Sequence, residues 1–295
     1  MDKQSFPTFD ICNLNTDKSS NELFSVDRFR GYVDSNPHLN EMHSHHYYHL
    51  VYFTEGSGEH IIDFESFPVK NGMLYFMRPG QAHQWKFEQQ YDGYVINFSA
   101  NYFDWLGINS NLLSKFSFFK TMNLNEQVFM VEDEVQNEII NMFESILKEY
   151  NQNDSFSNLK IALELMDLFV YSNRLYSPST ANVHEYQSLL IHNFQELIDK
   201  FYIEKKLPKE YAELLYITPN HLNALCKDVL GISAGELIRN RIVLEAKRLL
   251  VNRDLTVSEI AFRLNFQDAS YFVKFFKKYT KFTPEQFRKY YYIND

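Results

Sequence analysis

The chain has 295 residues, 45% of them hydrophobic and 17% aromatic, and a formal net charge of −9. Its two cysteines, Cys12 and Cys226, lie far apart, which excludes a disulfide framework or a Cys-x-x-Cys metal site. The charge is unevenly spread: residues 1–180 carry 12 Lys and Arg against 24 Asp and Glu, net −12, and residues 181–295 carry 17 against 14, net +3, so the acidic average does not exclude nucleic acid as a partner of the second half.

The segment Met1 to Pro7 has no basic start followed by an apolar stretch, so no signal peptide is expected. No apolar run approaches the ~18 residues that a membrane span needs. The expected setting is the cytoplasm, with no membrane partner and both thiols reduced.

From about residue 6 to residue 103 the pattern is that of short strands. His49–Thr54, Glu59–Phe64, Met73–Met77 and Gly93–Phe98 are rich in aromatic and β-branched residues. Gly56-Ser57-Gly58, Asn71-Gly72 and Arg78-Pro79-Gly80 punctuate them. Many short strands at close spacing predict an antiparallel barrel or sandwich. Seven of the ten histidines fall before residue 84, densest at His43-Ser44-His45-His46-Tyr47-Tyr48-His49. Residues two apart on a strand share a face, so His43, His45, Tyr47, His49, Val51 and Phe53 are expected to point one way. His38, His46 and His60 are expected at the surface or in loops. With Gly72 and Pro79-Gly80-Gln81-Ala82-His83, these residues resemble the two cupin motifs. His43, His45 and His49 stand at the His, His and Glu positions of the first, and His83 at the His position of the second. The site reading preferred on sequence is an effector pocket lined by His43, His45, Tyr47, His49 and His83 inside a small barrel. Imidazoles also suit Zn, Cu, Fe or Ni, but with His49 in place of the usual Glu the metal reading of His43, His45, His49 and His83 ranks below it, and no metal or cofactor is assigned.

Past residue 103 the spacing becomes helical. Glu126–Tyr150 places Val128, Val131, Val135, Ile139, Met142, Phe143, Ile146 and Leu147 on one side, and Ser157–Tyr176 repeats the pattern with Leu159, Leu163, Met166, Phe169 and Val170. With the polar loop 151–155 between them they form a helical hairpin, able either to cover the barrel or to pair with a second subunit. The polar, Pro-containing stretch from Tyr176 to Asn182 is the predicted boundary.

Beyond it the chain reads as helical and contains a repeat. Tyr211–Lys227 and Ile260–Lys277 align with Ala212 on Ala261 and Leu215 on Leu264, then, after one inserted residue, Leu222 on Phe272 and Lys227 on Lys277. Each unit reads as helix, tight turn, helix, with Ile217 or Phe266 plugging the turn. Thr218 with Pro219, and Asp268, are the expected caps of the second helices. That is a helix-turn-helix, whose second helix enters the major groove. A long helix from about Ala234 to Asn252 separates the units, with Ser233-Ala234-Gly235-Glu236 as its capping box and Leu237, Ile238, Ile242, Ala246, Leu249 and Leu250 as its buried stripe. Thr256-Val257-Ser258-Glu259 and Thr283-Pro284-Glu285-Gln286 start the two later helices.

Arg241-Ile242-Val243-Leu244-Glu245-Ala246-Lys247-Arg248-Leu249-Leu250, Ile260-Ala261, Phe266, Tyr271-Phe272, Phe275-Phe276-Lys277-Lys278 and Thr283-Pro284-Glu285-Gln286-Phe287-Arg288 resemble the AraC/XylS family of bacterial transcription regulators. The resemblance is dense from about residue 184 to 292. It departs at Asn265 and at Lys281, where the family usually has Gly; Asn tolerates the left-handed backbone and Lys281 is expected to strain its turn slightly. The family usually carries a cupin-like barrel as its sensory domain. The expected fold is therefore α+β in two domains. Residues 1–176 form a cupin-like sensory and dimerisation domain, with the barrel at about 6–103 and the helices at about 126–176. Residues 177–183 are the linker, and 184–295 an all-α DNA-binding domain of two helix-turn-helix units joined by a long helix.

Leu222, Leu225 and Cys226 of the first unit and Phe272, Phe275 and Phe276 of the second are expected in the core. The resemblance places Asn220, Asn223 and Ala224, and Ala269, Ser270, Val273 and Lys274, at base-reading positions. His221 reaches a base or phosphate or is a half-buried helix histidine, and Lys227, Lys277 and Lys278 are expected at phosphates. The implied partners are promoter DNA, a small-molecule effector, a second copy of the chain and, in the activating mode that the resemblance favours, RNA polymerase. The competing reading is a metal-dependent cupin enzyme, an isomerase or dioxygenase with a helical appendage. The repeat decides against it, because an enzyme has no use for two helix-turn-helix units, and no catalytic residue is assigned.

Overall fold

The computed structural model describes residues 7–14, 22–121, 123–176, 185–252 and 254–293. The chain separates into two compact units, one over residues 7–179 and the other chiefly residues 180–295. The expected linker at 177–183 lies outside the described residues.

The first unit runs β1 (Thr8–Phe9), β2 (Phe24–Arg28), α1 (Phe29–Ser35), β3 (Ser44–His45), β4 (Tyr48–Glu55), β5 (Gly58–Ile62), β6 (Glu65–Val69), β7 (Met73–Met77), β8 (His83–Phe87), β9 (Asp92–Phe98), α2 (Ala100–Trp105), α3 (Ser117–Lys120), β10 (Val128–Met130), α4 (Gln136–Gln152) and α5 (Ser157–Tyr176). An antiparallel five-stranded sheet in the order β10-β7-β4-β9-β2 faces a three-stranded sheet, β6-β5-β8. Alternation along β4 serves two cores. Leu50 and Tyr52 pack with Phe143, Ile146, Leu165 and Phe169 of the hairpin, whereas Val51 and Phe53 pack with Tyr75 and Trp85 in the other core. The hairpin thus covers the outer face of the larger sheet, one of the two roles open to it from sequence.

The predicted helix over 126–150 is corrected at its start. Val128–Met130 is a strand on the edge of β7, Val131 N–H donates to Gly72 O, and the helix begins at Gln136. Val128, Val131 and Val135 fit a helical stripe, but an unpaired sheet edge satisfies their backbone groups more cheaply. The predicted strand Glu59–Phe64 stops at Ile62, because Asp63 and Phe64 take φ values of 48° and 73° in the hairpin turn to β6. The Asp63 carboxylate holds that turn by accepting from Ala82 N–H at 3.1 Å and Gln81 Nε2 at 3.2 Å.

The second unit is entirely helical among its described residues: α6 (Glu185–Phe201), α7 (Pro208–Leu214), α8 (Pro219–Leu230), α9 (Ala234–Leu250), α10 (Val257–Arg263), α11 (Ala269–Thr280) and α12 (Pro284–Ile293). The start signals operate as their sequences imply, except that Ser233 and Glu236 show only the first half of the expected capping box. Thr218 accepts from His221 N–H, Ser233 from Glu236 N–H, and Asp268 from Tyr271 N–H, while Thr256–Glu259 and Thr283–Gln286 bond reciprocally. The long helix α9 ends at Leu250 rather than Asn252; Val243 joins its buried stripe, and Leu249 is only half-buried.

The repeat is reproduced at backbone level. Ile217 N–H donates to Ala212 O at 3.0 Å and Phe266 N–H to Ala261 O at 2.9 Å, each closing the first helix of its unit. The residue that turns the chain is left-handed in both, Tyr216 at φ 55° and Asn265 at φ 56°. Asn265 fits the sequence expectation. Tyr216 occupies the same strained conformation without the local hydrogen bonding that helps Asn, and its side chain is 97% exposed. Tyr216→Gly therefore loses no packing and relieves the strain, less the added flexibility of Gly in the unfolded chain, a net gain of roughly 0.5–1 kcal/mol. Asn265→Ala is expected to destabilise by a similar amount. Thermal melts of residues 182–295 should move in opposite directions for the two variants; a fall for both contradicts this account of the turn.

Candidate functional site

In the second unit α7–α8 and α10–α11 are the two helix-turn-helix units, and α9 packs against members of both. Leu222, Leu225, Cys226, Phe272 and Phe276 are buried, and Phe275 is half-buried against Phe266 and Tyr279. On α8, Asn220, His221, Ala224 and Lys227 are exposed, which puts His221 on the surface rather than in a core. Asn223 is different. It is half-buried, and its Oδ1 accepts from Ala234 N–H at 3.2 Å, so its carbonyl fixes the start of α9. On α11, Ser270, Lys274, Lys277 and Lys278 are exposed, while Ala269 and Val273 are half-buried.

Sequence reasoning missed how the units are joined. The Lys206 ammonium donates to Leu264 O and Asn265 O, both at 2.7 Å, and lies 3.8 Å from the centre of the Phe266 ring. One cation just ahead of α7 therefore grips the turn of the second unit. Arg288 of α12 donates to Leu250 O and Leu255 O across the end of α9. Neither contact carries a sequence signal, since both end on backbone carbonyls.

In the first unit the histidines converge. His43, His45 and His49 are buried, as the shared face requires, and so is His83 on β8, with Tyr47 stacked on His45 at a centroid separation of 4.4 Å. His46 is exposed as expected and His38 is half-buried. His60 corrects the sequence reading: it is fully buried, its Nε2 lies 2.9 Å from His83 Nδ1, and its ring stacks on Trp85 at 3.4 Å. It sits on β5 opposite Trp85 of β8, a register that the sequence does not reveal.

The Nε2 atoms of His43 and His45 are 2.9 Å apart, and those of His45 and His83 are 3.1 Å apart. His43 Nδ1 faces Glu41 O at 2.7 Å, and His49 Nδ1 faces Asn97 Oδ1 at 2.6 Å. Burial is the first cause holding all five rings neutral. It pulls His49 down to about 4 and His43 to about 3, and His45, His60 and His83 well below the ordinary histidine range. The donor set of His43, His45 and His83 is one that a metal ion accepts.

With both arrangements described, the chain can be set beside known proteins. The helix-turn-helix domain family matches residues 211–290, and the AraC-like ligand binding domain family matches residues 26–169. The HTH-type transcriptional regulator YijO of Escherichia coli is 31% identical over 103 residues, 35% of this chain and 36% of that protein. Over most of the chain, YfiF of Bacillus subtilis is 23% identical, covering 85% of this chain and 79% of that protein. The transcriptional activator RhaR of Mannheimia succiniciproducens is 18% identical, covering 84% and 86%. The chain spans only about a third to just over half of the first curated relatives it matches, at 36%, 44% and 57% of their lengths. Among solved structures, ToxT of Vibrio cholerae aligns over 90% of this chain and 98% of its own with 11% identity and a TM-score of 0.45. No described helix is long and apolar enough to cross a membrane.

The lowered histidine values give the first unit a pH signature. The folded state refuses protons that the unfolded chain binds near pH 6.5, so the stability from these rings is full above that pH and falls as pH drops toward about 4 and about 3. Each ring contributes up to about 1.4 kcal/mol per pH unit in that window. Melts of chelator-treated protein should show the first unit losing stability steeply below about pH 6.5, down to about pH 4. A transition that does not move would mean that the rings are not buried as described.

Proposed function

The chain belongs to the AraC family of transcription regulators, which are not enzymes, and from that premise we propose that it is a sequence-specific regulator of promoter DNA, controlled by an effector in its first unit. The observation that carries this reading is the pair of identically closed helix-turn-helix units on one continuous helix. At 17 residues α9 is about 25 Å long, a rigid spacer on the scale of a DNA turn. Asn220, Ala224, Ser270 and Lys274, with the half-buried Ala269 and Val273 beside them, form the base-reading surface. His221, Lys227, Lys277 and Lys278 serve the phosphates. Asn223 contributes chiefly by holding α9. The small-molecule effector pocket is lined by His43, His45, Tyr47, His49 and His83.

The active form is a homodimer in the cytoplasm. The outer face of α5 supports this. Leu159, Leu163 and Val170 recur at spacings of four and seven, and all are exposed, Leu163 at 58%, while the inner face is spent on the sheet. A second copy is the fitting occupant, because one DNA-binding unit of net charge +3 has little electrostatic affinity of its own. Activation through RNA polymerase is the direction taken, with the relative named as an activator as its support.

A mobility-shift assay on the promoters of neighbouring genes tests the reading, and absence of retardation at low salt defeats it. Asn220→Ala with Lys274→Ala should weaken specific binding by at least about tenfold and non-specific binding far less, since a good base contact is worth about 1–3 kcal/mol. An equal loss on all sequences would assign both residues to the backbone. Leu163→Asp should shift the sedimenting species from dimer to monomer; an unchanged dimer would move the interface elsewhere.

A further inference from the structure

We propose that Lys206 determines which spacing of half-sites the chain accepts: by tying the start of α7 to the turn of the second helix-turn-helix unit, it makes the two recognition helices one rigid reader. The inference rests on the regulator reading and adds to it the residue that couples the two units. The tie is anchored at both ends. At its base, Lys206 N–H and Leu207 N–H both donate to the Glu210 carboxylate, at 3.0 and 2.8 Å, and the hydroxyl of the buried Tyr211 donates to Lys205 O at 2.8 Å. The backbone that carries the side chain is thus fixed to the beginning of α7. At its tip, the ammonium donates to Leu264 O and Asn265 O and lies over the ring of Phe266. Those two carbonyls belong to the C-terminal end of α10, where a helix leaves acceptors open and favours a cation. Phe266 is buried, and its ring centre is 5.3 Å from that of Phe272 and 5.2 Å from that of Phe275, both on α11. A chain of contacts therefore runs from α7, through Lys206 and Phe266, to the second recognition helix.

The repeat shows that the lysine is not needed to start a helix. In the alignment that sets Ala212 on Ala261, Glu210 falls on Glu259, whose carboxylate accepts from Thr256 N–H just as that of Glu210 accepts from Leu207 N–H. Lys206 then falls on Leu255, which is buried, so the second unit begins its first helix with no cation at that place. Arg288 is no substitute, because it bonds Leu250 O and Leu255 O at the end of α9, within the second unit. Burial pulls the Lys206 amine down to about 8, although a lysine stem is long enough to keep its charge in water. The contact gives up hydration for two uncharged acceptors, and what it gains is geometry. The backbone of α9 sets the separation of the units along its axis, while rotation about that axis is resisted only by side-chain packing and by such a tie. One base pair turns DNA by about 34–36°, so a changed spacing asks for that rotation.

The test uses the full-length chain and promoter DNA that it retards, narrowed by footprinting, with one base pair inserted or deleted between the two protected grooves. Wild type is expected to lose at least about tenfold in affinity on either change, because a second recognition helix that cannot engage with the first forfeits its avidity. Lys206→Met keeps the length without the cation and should shrink that penalty to about threefold or less; Lys206→Arg, which keeps a cation able to lie on an aromatic face, should restore it. A full penalty in folded Lys206→Met, the same loss at every spacing, or no restoration by Lys206→Arg each overturns the proposal. Lys206→Gln is measured alongside in case Lys206→Met does not fold; if neither folds, the lysine is structural and the proposal falls. A measurement without DNA separates the tie from the regulator reading. Spin labels on Asp228→Cys of α8 and Lys278→Cys of α11, with Cys12→Ser and dilution in unlabelled chain, should give one narrow distance distribution that broadens in Lys206→Met. An unchanged width overturns the tie. The expected broadening in a chain that retards no DNA upholds the tie and defeats only the regulator reading.

Discussion

The second unit depends on one constraint: both helix-turn-helix units must bury their inner faces against the same helix. Ala234, Leu237, Ile238, Ile242, Val243, Ala246 and Leu250 run the length of α9, which packs on α7 and α8 on one side of the repeat and on α10, α11 and α12 on the other. A continuous helix cannot bend between them without Pro or Gly, and its one glycine, Gly235, sits in the first turn. The spacing of the two recognition helices is therefore set by the hydrogen-bond ladder of α9. Lys206 and Arg288 fix the remaining freedom by spending charge on backbone carbonyls. Those hydrogen bonds end on backbone, so apart from Phe266, whose ring Lys206 also meets, the residues at the far end can vary while the geometry holds.

The first unit resolves a different problem with the period of the strand. The larger sheet must face a helical hairpin on one side and a polar cluster on the other, and β4 does both by alternation. Leu50 and Tyr52 look to the hairpin, and His49, Val51 and Phe53 to the interior. Five neutral imidazoles among aromatic rings cost little as hydrophobic bodies but leave nitrogen atoms to be satisfied. Glu41 O and Asn97 Oδ1 answer two of them, the Nε2 atoms of His43, His45 and His83 meet one another, and His49 Nε2 and His60 Nδ1 are buried with no hydrogen-bond partner.

Much of this was legible in sequence, for identifiable reasons. The bounds of α5, Ser157 and Tyr176, are legible because its pattern is long and begins after a polar loop, but its buried face is not: Ile161, Ala162, Leu165, Leu168 and Phe169 face inward, while Leu159, Leu163 and Val170 of the expected stripe are exposed. The repeat was legible because Ala212 and Ala261 mark equivalent points of two turns. Val128–Met130 was not, since three residues of apolar sequence carry no period, and only the free edge of β7 decides for a strand. Tyr216 gave no hint of its left-handed backbone, which is imposed by the bond from Ile217 N–H to Ala212 O. His43, His45, His49 and His83 could be gathered by alternation and motif. His60 lies on a strand of the opposite sheet, and only its pairing with β8 brings it beside His83. Glu41 O and Asn97 Oδ1 stand at hydrogen-bond distance from His43 and His49, and no sequence pattern predicts a carbonyl at that distance.

The charge balance takes on a different meaning once the ion pairs are located. A net of +3 on the second unit overstates what its cations offer to DNA. Arg241 is bound to Asp199 at 2.7 Å and Glu245 at 2.9 Å, Arg248 lies 3.9 Å from the same Glu245, and Arg288 and Lys206 end on carbonyls. These four cations stabilise the scaffold. The exposed cations on α8 and α11 are Lys227, Lys274, Lys277 and Lys278, and they lie along the recognition helices themselves. On the proposed reading such a surface would hold DNA weakly where the helices do not fit the groove, because each phosphate contact released at a wrong site removes a large share of the whole electrostatic attraction. On the proposed regulator reading, scarcity of charge favours specificity: with few non-specific contacts to fall back on, affinity would rise only where both recognition helices, and a proposed second copy of the chain, engage together.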